Sequence, residues 1–212
     1  MPISKHAPAR NWFSIPPHSR RTPVLPTQTK ELARALIGWV LVRHSAAGTT
    51  SGRIVETEAY PVGDPASHAF RGETARNRVM FGQPFHAYVY RIYGRYWCFN
   101  VTSEPRGVGA GVLVRALEPL EGIDLMRKRR GVEPVRLLCS GPARLAQALD
   151  IDRSLDGRDL LADPEIELLP PRQATGPIGS SRRIGLTAAA HRLLRFYERG
   201  SPYVSGPRRL SR

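Results

Sequence analysis

Glu56 and Glu58 lie two residues apart in Arg53-Ile-Val-Glu-Thr-Glu-Ala-Tyr60. Carboxylates are unfavourable inside a strand, so this pair either faces water from an edge or lines a cleft beside Tyr60. Downstream come His68, the run Ala75-Arg-Asn-Arg-Val-Met-Phe81, and His86-Ala-Tyr-Val-Tyr-Arg-Ile-Tyr-Gly-Arg-Tyr-Trp-Cys-Phe-Asn100. Leu113-Val-Arg115 closes the stretch. Acids, an imidazole, tyrosines and arginines in so short a span could make a site that takes a nucleic-acid base into an aromatic pocket and hydrolyses a bond to it.

Several elements must position these side chains. A period of two along residues 53–60 places Ile54, Glu56, Glu58 and Tyr60 on one face and Val55, Thr57 and Ala59 on the other. Residues 39–42 predict the preceding strand, 46–52 carry turn chemistry, and the two strands form an antiparallel pair. Residues 61–78 predict a long polar loop holding His68, Arg71, Arg76 and Arg78; loops of that length in compact domains usually have a function. Residues 86–93 and 96–101 predict a hairpin joined at Gly94-Arg95. Tyr93, at its tip beside Arg91 and Arg95, is either a wedge for a base stack or a ring folded back on its own sheet.

The remaining elements frame that stretch. A helix is expected from near Thr27, with Leu32, Ala35 and Leu36 on one face and Gly38 as its stop. Residues 110–117 predict a strand with Leu113, Arg115 and Leu117 on one face. Pro119 is expected to open a helix with Leu120, Ile123 and Met126 on its apolar side, ended by Gly131. Its last turn, Arg127-Lys-Arg-Arg130, suits a helix C-terminus as well as it suits DNA. Ser140 is expected to cap a helix carrying Leu145, Ala148 and Leu149. Residues 166–169 predict a strand and 176–181 a loop. Residues 1–26, with Pro2, Pro8, Pro16, Pro17, Pro23 and Pro26, read as a flexible arm, 27–205 as the folded domain, and 206–212 as a basic tail.

Composition narrows the class. The chain has 212 residues, enough for one sizeable core, and Lys+Arg 32 against Asp+Glu 18 gives a net charge of +14. Such an excess, mostly arginine, points to a polyanionic partner. The 2 cysteines, Cys98 and Cys139, are far apart and in no metal spacing, which fits core thiols in a reducing compartment. No apolar run approaches a membrane span, so a cytoplasmic or nucleoid location is expected. No His-Glu-x-x-His pair, no Gly-x-Ser-x-Gly elbow and no phosphate loop is present; the glycines at 107–111 lack the Lys-Ser/Thr such a loop needs.

Eleven motifs in order resemble the alkyladenine (3-methyladenine) DNA glycosylases. They include Glu56-Thr-Glu-Ala-Tyr60, His68, Arg76-Asn-Arg78 with Met80-Phe81, Tyr88-Val-Tyr90, Tyr93-Gly94, Cys98-Phe-Asn100 and Val114-Arg-Ala-Leu-Glu-Pro119. Later come Leu138-Cys-Ser-Gly-Pro142, Arg183-Ile-Gly185, Leu194-Arg-Phe-Tyr197 and Arg199-Gly-Ser-Pro202. The resemblance implies a mixed α/β (α+β) single domain: a curved antiparallel sheet with surrounding helices, a protruding hairpin, and no metal or cofactor. It implies a monomer acting on double-stranded DNA with damaged purines: 3-methyladenine, 7-methylguanine, hypoxanthine and ethenoadenine.

By the same resemblance, Glu58 is the general base that activates water, and Arg115 with the backbone carbonyl of Ile184 helps hold that water. Tyr60, His68 and Tyr90 sandwich the flipped base, Asn100 lies under it and rejects guanine, and Tyr93 fills the gap left in the duplex. Arg76, Arg78 and Arg95 are candidate contacts to the DNA backbone. Glu56, a strand period from the pocket, reads as the lesser acid. Without a matching lysine, no Schiff-base lyase step is expected. The competing classes are a non-catalytic minor-groove or RNA-binding module, which has no use for Glu58 beside the tyrosines, and a deaminase, which needs zinc ligands.

Overall fold

The long strand β2 (Gly48–Tyr60) is the spine of the computed structural model, which describes residues 24–207. β1 (Val40–Ser45) pairs with its first half. β5 (Gly111–Glu121) runs along its other side. β4 (Tyr96–Thr102) and β3 (Ala87–Ile92) continue outward from β5, and β6 (Ile166–Leu169) lies outside β1. Beyond β1, the second half of β2 takes β8 (Arg195–Glu198), which pairs with β7 (Ile178–Ser181). All these pairings are antiparallel. Among the described residues the fold is α+β, a curled sheet with three α-helices in a single domain.

The helices cover one face of that sheet. They are α1 (Thr29–Ala35), α2 (Ile123–Arg130) and α3 (Pro142–Leu149). Leu32, Leu36, Leu117, Phe99, Met126 and Leu145 meet in the core. Thr57 ties α1 to β2 by donating its hydroxyl to the Ala33 carbonyl at 2.7 Å. Leu25 is buried in the same core, so packing begins ahead of residue 27. Residues 1–23 of the expected arm, and 208–212 of the expected tail, lie outside the described residues.

Five local expectations need correction. The first turn is shorter: only Ala46-Ala47 separates β1 from β2, because residues 48–52 complete the ladder instead of looping. β5 continues through Pro119 to Glu121, and α2 starts only after Gly122, whose φ of 72° turns the chain. Pro119 faces Gly52 at a register shift, where a residue without an N–H is tolerated. Ser140 does not cap α3; it bridges to Ala116 and accepts from Arg144, and Gly141 precedes Pro142 at the helix start. Residues 178–181, expected as loop, are paired as β7. The hairpin turns at Tyr93-Gly94, with φ of 50° and 63° and the Arg95 N–H bonded to the Ile92 carbonyl; positive φ at both central residues matches the twist of the flanking strands.

A correction to the alternation of β2 matters most for function. The ladder slips between Ile54 and Thr57, where Val55 on β2 and Arg115 on β5 have no direct partner. Ile54 therefore joins Ala59 in the core, and Leu117 joins Val112 and Val114, while Glu56, Glu58 and Arg115 face away. Irregularities of this kind re-aim side chains beside functional sites. The edge-strand reading of the acids fails: Glu56 and Glu58 are both 0% exposed, in a strand paired on both sides.

Candidate active site

One cross-strand row assembles the centre. Tyr88 pairs with Asn100, Asn100 with Leu113, Leu113 with Glu58, and Glu58 with Arg195. Directly paired residues share a face, so five strands present these side chains in line. Tyr90 and Cys98 form the next pair of the hairpin on that same face.

Glu58 sits under three donors. Its Oε1 accepts the Ile184 N–H at 2.7 Å, and Oε2 accepts the Tyr60 hydroxyl at 2.9 Å and lies 3.2 Å from Arg115 Nη1. Burial raises its pKa above the ordinary glutamate range, against the opposing pull of Arg115, the Ile184 N–H and Tyr60. A raised pKa makes a stronger base, and the donors favour its ionised form. Burial would lower the Arg115 pKa, but Glu58 and Glu56 outweigh it and raise it, so the guanidinium stays charged. Ile184 reaches Glu58 through its N–H; its carbonyl has no hydrogen bond within the chain among the described residues.

Glu56 is engaged from a different side. It accepts Nε of Arg115 at 3.0 Å, Nε of Arg195 at 2.6 Å and the Ser205 N–H at 2.6 Å. Far from lying outside the site, it shares Arg115 with Glu58.

The aromatic wall adjoins the acids. The His68 and Tyr90 rings meet edge-on at 4.4 Å, Tyr88 and Tyr90 lie 5.4 Å apart, and His68 Nδ1 is 3.0 Å from the Tyr88 hydroxyl. The loop carrying His68 is held by Asn77, whose Nδ2 donates to the His68 and Gly72 carbonyls. Burial, then the charge of Arg76, lowers the His68 pKa, so the imidazole is neutral at neutral pH. Burial pushes Tyr88 up to about 12 and raises Tyr60 and Tyr90 as well, so all three keep their protons. Asn100 is buried and donates Nδ2 to the Tyr88 carbonyl at 3.0 Å.

The cations and the tip behave differently. Tyr93 is 92% exposed and does not fold back on the sheet. Arg76, Arg78 and Arg95 are all exposed: Arg76 stands 5.8 Å from the Tyr90 ring centroid, Arg95 lies 5.4 Å from that of Tyr96, and Arg78 pairs with Glu73 at 3.3 Å. In contrast, Arg127, Arg129 and Arg130 of α2 are bonded within the fold, to Asp124, Ala148 and Leu138 among others, which favours the helix-end reading of that run. Among the described residues, no three His, Cys, Asp or Glu side chains gather as a metal would require.

A family model described as "Methylpurine-DNA glycosylase (MPG)" matches residues 24–202. The chain belongs to this family. It is accordingly an enzyme of DNA repair, a glycosylase that hydrolyses N-glycosyl bonds of DNA. A relative from Mesorhizobium japonicum is 59% identical over 186 residues, 88% of this chain and 89% of its own length. One from Nitrosospira multiformis is 50% identical over 84% of this chain and 89% of its own, and one from Methanoculleus marisnigri 51% over 84% and 93%. Each bears the name "Putative 3-methyladenine DNA glycosylase".

The sequence pattern assigns no role to four residues of this glycosylase that are bonded around the acids: Arg183, Asp64, Arg195 and Ser205. Arg183 stands only as part of the motif Arg183-Ile-Gly185, and Asp64 is one polar residue of the 61–78 loop. Nothing in spacing marks Arg195 or Ser205, whose connection to Glu56 spans the whole chain.

Proposed function

We propose that this glycosylase is monofunctional and releases damaged purines, among them 3-methyladenine, 7-methylguanine, hypoxanthine and ethenoadenine, from duplex DNA. The row that aligns Tyr88, Asn100 and Glu58 carries the reading, because it sets a buried carboxylate beside an aromatic wall. A stacked base cannot be reached in the duplex, so the target nucleotide turns out at a cost of a few kcal/mol, least for a poorly paired lesion. The Tyr93 ring at the exposed tip takes the vacated place in the stack. His68 and Tyr90 touch each other and leave no space for a third ring, so together they form one wall and Tyr60 the other. An electron-poor alkylated purine stacks well on these rings and is already a good leaving group.

The bond broken is the one between the purine nitrogen and C1′ of the sugar. Glu58 takes a proton from water, the water oxygen bonds C1′, and the purine leaves with the bonding electrons. The carboxylate also offsets positive charge growing on the sugar. Arg115 and the Ile184 carbonyl orient the water. Lys30 and Lys128, the lysines of the described residues, lie on α1 and α2, away from this row, which supports hydrolysis without a lyase step. A single chain supplies every group, as a monomer acting at the chromosome would need.

The test is incubation with duplexes carrying hypoxanthine, ethenoadenine or 7-methylguanine, scoring abasic sites with and without EDTA. Release that survives chelation is expected. No abasic sites from any duplex would end the reading; loss in EDTA restored by a divalent ion would overturn the water-plus-carboxylate mechanism.

A further inference from the structure

Arg183 has a fully buried side chain, yet no step above uses it. Its guanidinium lies 4.6 Å from the centroid of the Tyr60 ring. Nη1 donates to the carbonyl of Ala59, the residue between Glu58 and Tyr60, at 2.9 Å. Nη2 donates to Asp64 Oδ1 at 3.1 Å, and Nη1 stands 2.7 Å from Oδ2 as an ion pair. Asp64 is wholly buried and accepts the Ala66 N–H in the turn leading to His68. The next residue, Ile184, donates to Glu58.

One flat cation thus touches the strand bearing the base, a ring of the pocket, and the loop bearing His68. Because it is buried, it covers a part of the Tyr60 ring that solvent does not reach. Its Nε has no partner among the described residues. A donor buried that way is costly, so the guanidinium is not placed here for hydrogen bonding alone. Stacking and forked donation are properties of guanidinium and not of ammonium.

We infer that Arg183, anchored by Asp64, is a positioning residue that holds the Tyr60 ring so its hydroxyl reaches Glu58. Through Tyr60 it keeps the carboxylate ready for water. The inference rests on the role proposed for Glu58. The groups facing Glu58 are Tyr60 and Glu56 on β2, Arg115 on β5, the Ile184 N–H, and Tyr90 and Cys98 of the hairpin.

The experiment compares wild type, Tyr60→Phe, Arg183→Met and the double variant. Single-turnover release from a hypoxanthine duplex is followed across pH, beside melting temperature and affinity for an abasic-site duplex. Each single variant should release base about tenfold more slowly or worse, with affinity unchanged. The acid limb of its rate should move to higher pH, since a bond favouring the carboxylate is lost. The double variant should be no worse than the slower single variant. Multiplying losses, or an unmoved limb for Arg183→Met, would overturn the inference. Arg183→Met leaves Asp64 buried without this partner and endangers folding, so Arg183→Lys is the second variant. It keeps the charge, loses the flat stack, and should show the same slow release and shifted limb; a wild-type rate and profile would equally overturn the inference. If the wild type released no base, the role of Glu58 would fall instead.

Discussion

Glu58 lies in a place that disfavours its charge, and the consequence runs in two directions. Because its folded pKa is raised, the stability it contributes is complete below the ordinary carboxylate range and is lost as pH rises through the folded value. Glu58→Gln cannot ionise, so at neutral pH its melting temperature should equal or exceed wild type; Arg115 retains Glu56 as a partner. The same variant should abolish base release while still binding an abasic-site duplex. Near wild-type excision would remove Glu58 from the reaction. In the wild type, release should fail on acidification at a pH above that at which an ordinary glutamate titrates, which a pH–rate profile measures. Asn100 is a separate matter of shape: its amide is held by the Tyr88 carbonyl in the same row as Glu58. Shortening it in Asn100→Ser should admit guanine's amino group and allow release of normal guanine from undamaged duplex. Unchanged specificity would place Asn100 outside the pocket floor.

The β3–β4 hairpin is built to project its tip. β3 is shielded at its base, where the Val89 N–H donates to Asp156 and the Ala87 N–H to the Arg158 carbonyl. Past that cover, Tyr90, Arg91 and Ile92 pair with β4 up to the turn. Tyr93 occupies a left-handed conformation that a bulky residue adopts at some cost, and it contributes no burial in return. As a wedge it meets DNA only in the complex, so Tyr93→Ser should leave the melting temperature almost unchanged. Capture of the flipped nucleotide should weaken by about 1–3 kcal/mol, the scale of one aromatic–base stack. Single-turnover rates should fall most for paired hypoxanthine and least for mispaired hypoxanthine, where flipping is already cheap. A large drop in melting temperature with an equal loss on both substrates would contradict the tip geometry.

Across the whole molecule, buried charge ties distant segments together. Glu56 joins β2 to β5 through Arg115, to β8 through Arg195, and to the C-terminal segment through Ser205, whose carbonyl also accepts from Arg195. Removing one partner of such a set strands the others, at about 3–5 kcal/mol. Glu56→Gln should therefore lower the melting temperature sharply, where Glu58→Gln does not. Equal melting temperatures for the two variants would show that the network is not what holds the C-terminal segment. The net charge of +14 also changes meaning at this scale. Arg43, Arg115, Arg183 and Arg195 are buried and neutralised or bonded inside. The cations left at the surface include Arg76 and Arg95.

Local pattern was enough for some features. Period-two alternation revealed β2 and the hairpin, and Gly131 marked the end of α2, whereas the choice between an exposed and a folded-back Tyr93 was left to the structure. The motif order singled out Glu58, Tyr60, His68, Tyr90 and Asn100, which the fold brings to the acids and the aromatic wall. Tertiary structure alone decided the rest. Whether Glu56 and Glu58 faced water depended on β5 and β8 pairing with β2 from far along the chain. The slip at Val55 and Arg115 is a property of two strands in register, not of either one. The bonds of Glu56 to Arg195 and Ser205, and of Asp64 to Arg183, join residues more than a hundred positions apart. Electrostatic pairing in a buried site depends on distance in space, which neither spacing nor periodicity along a chain encodes.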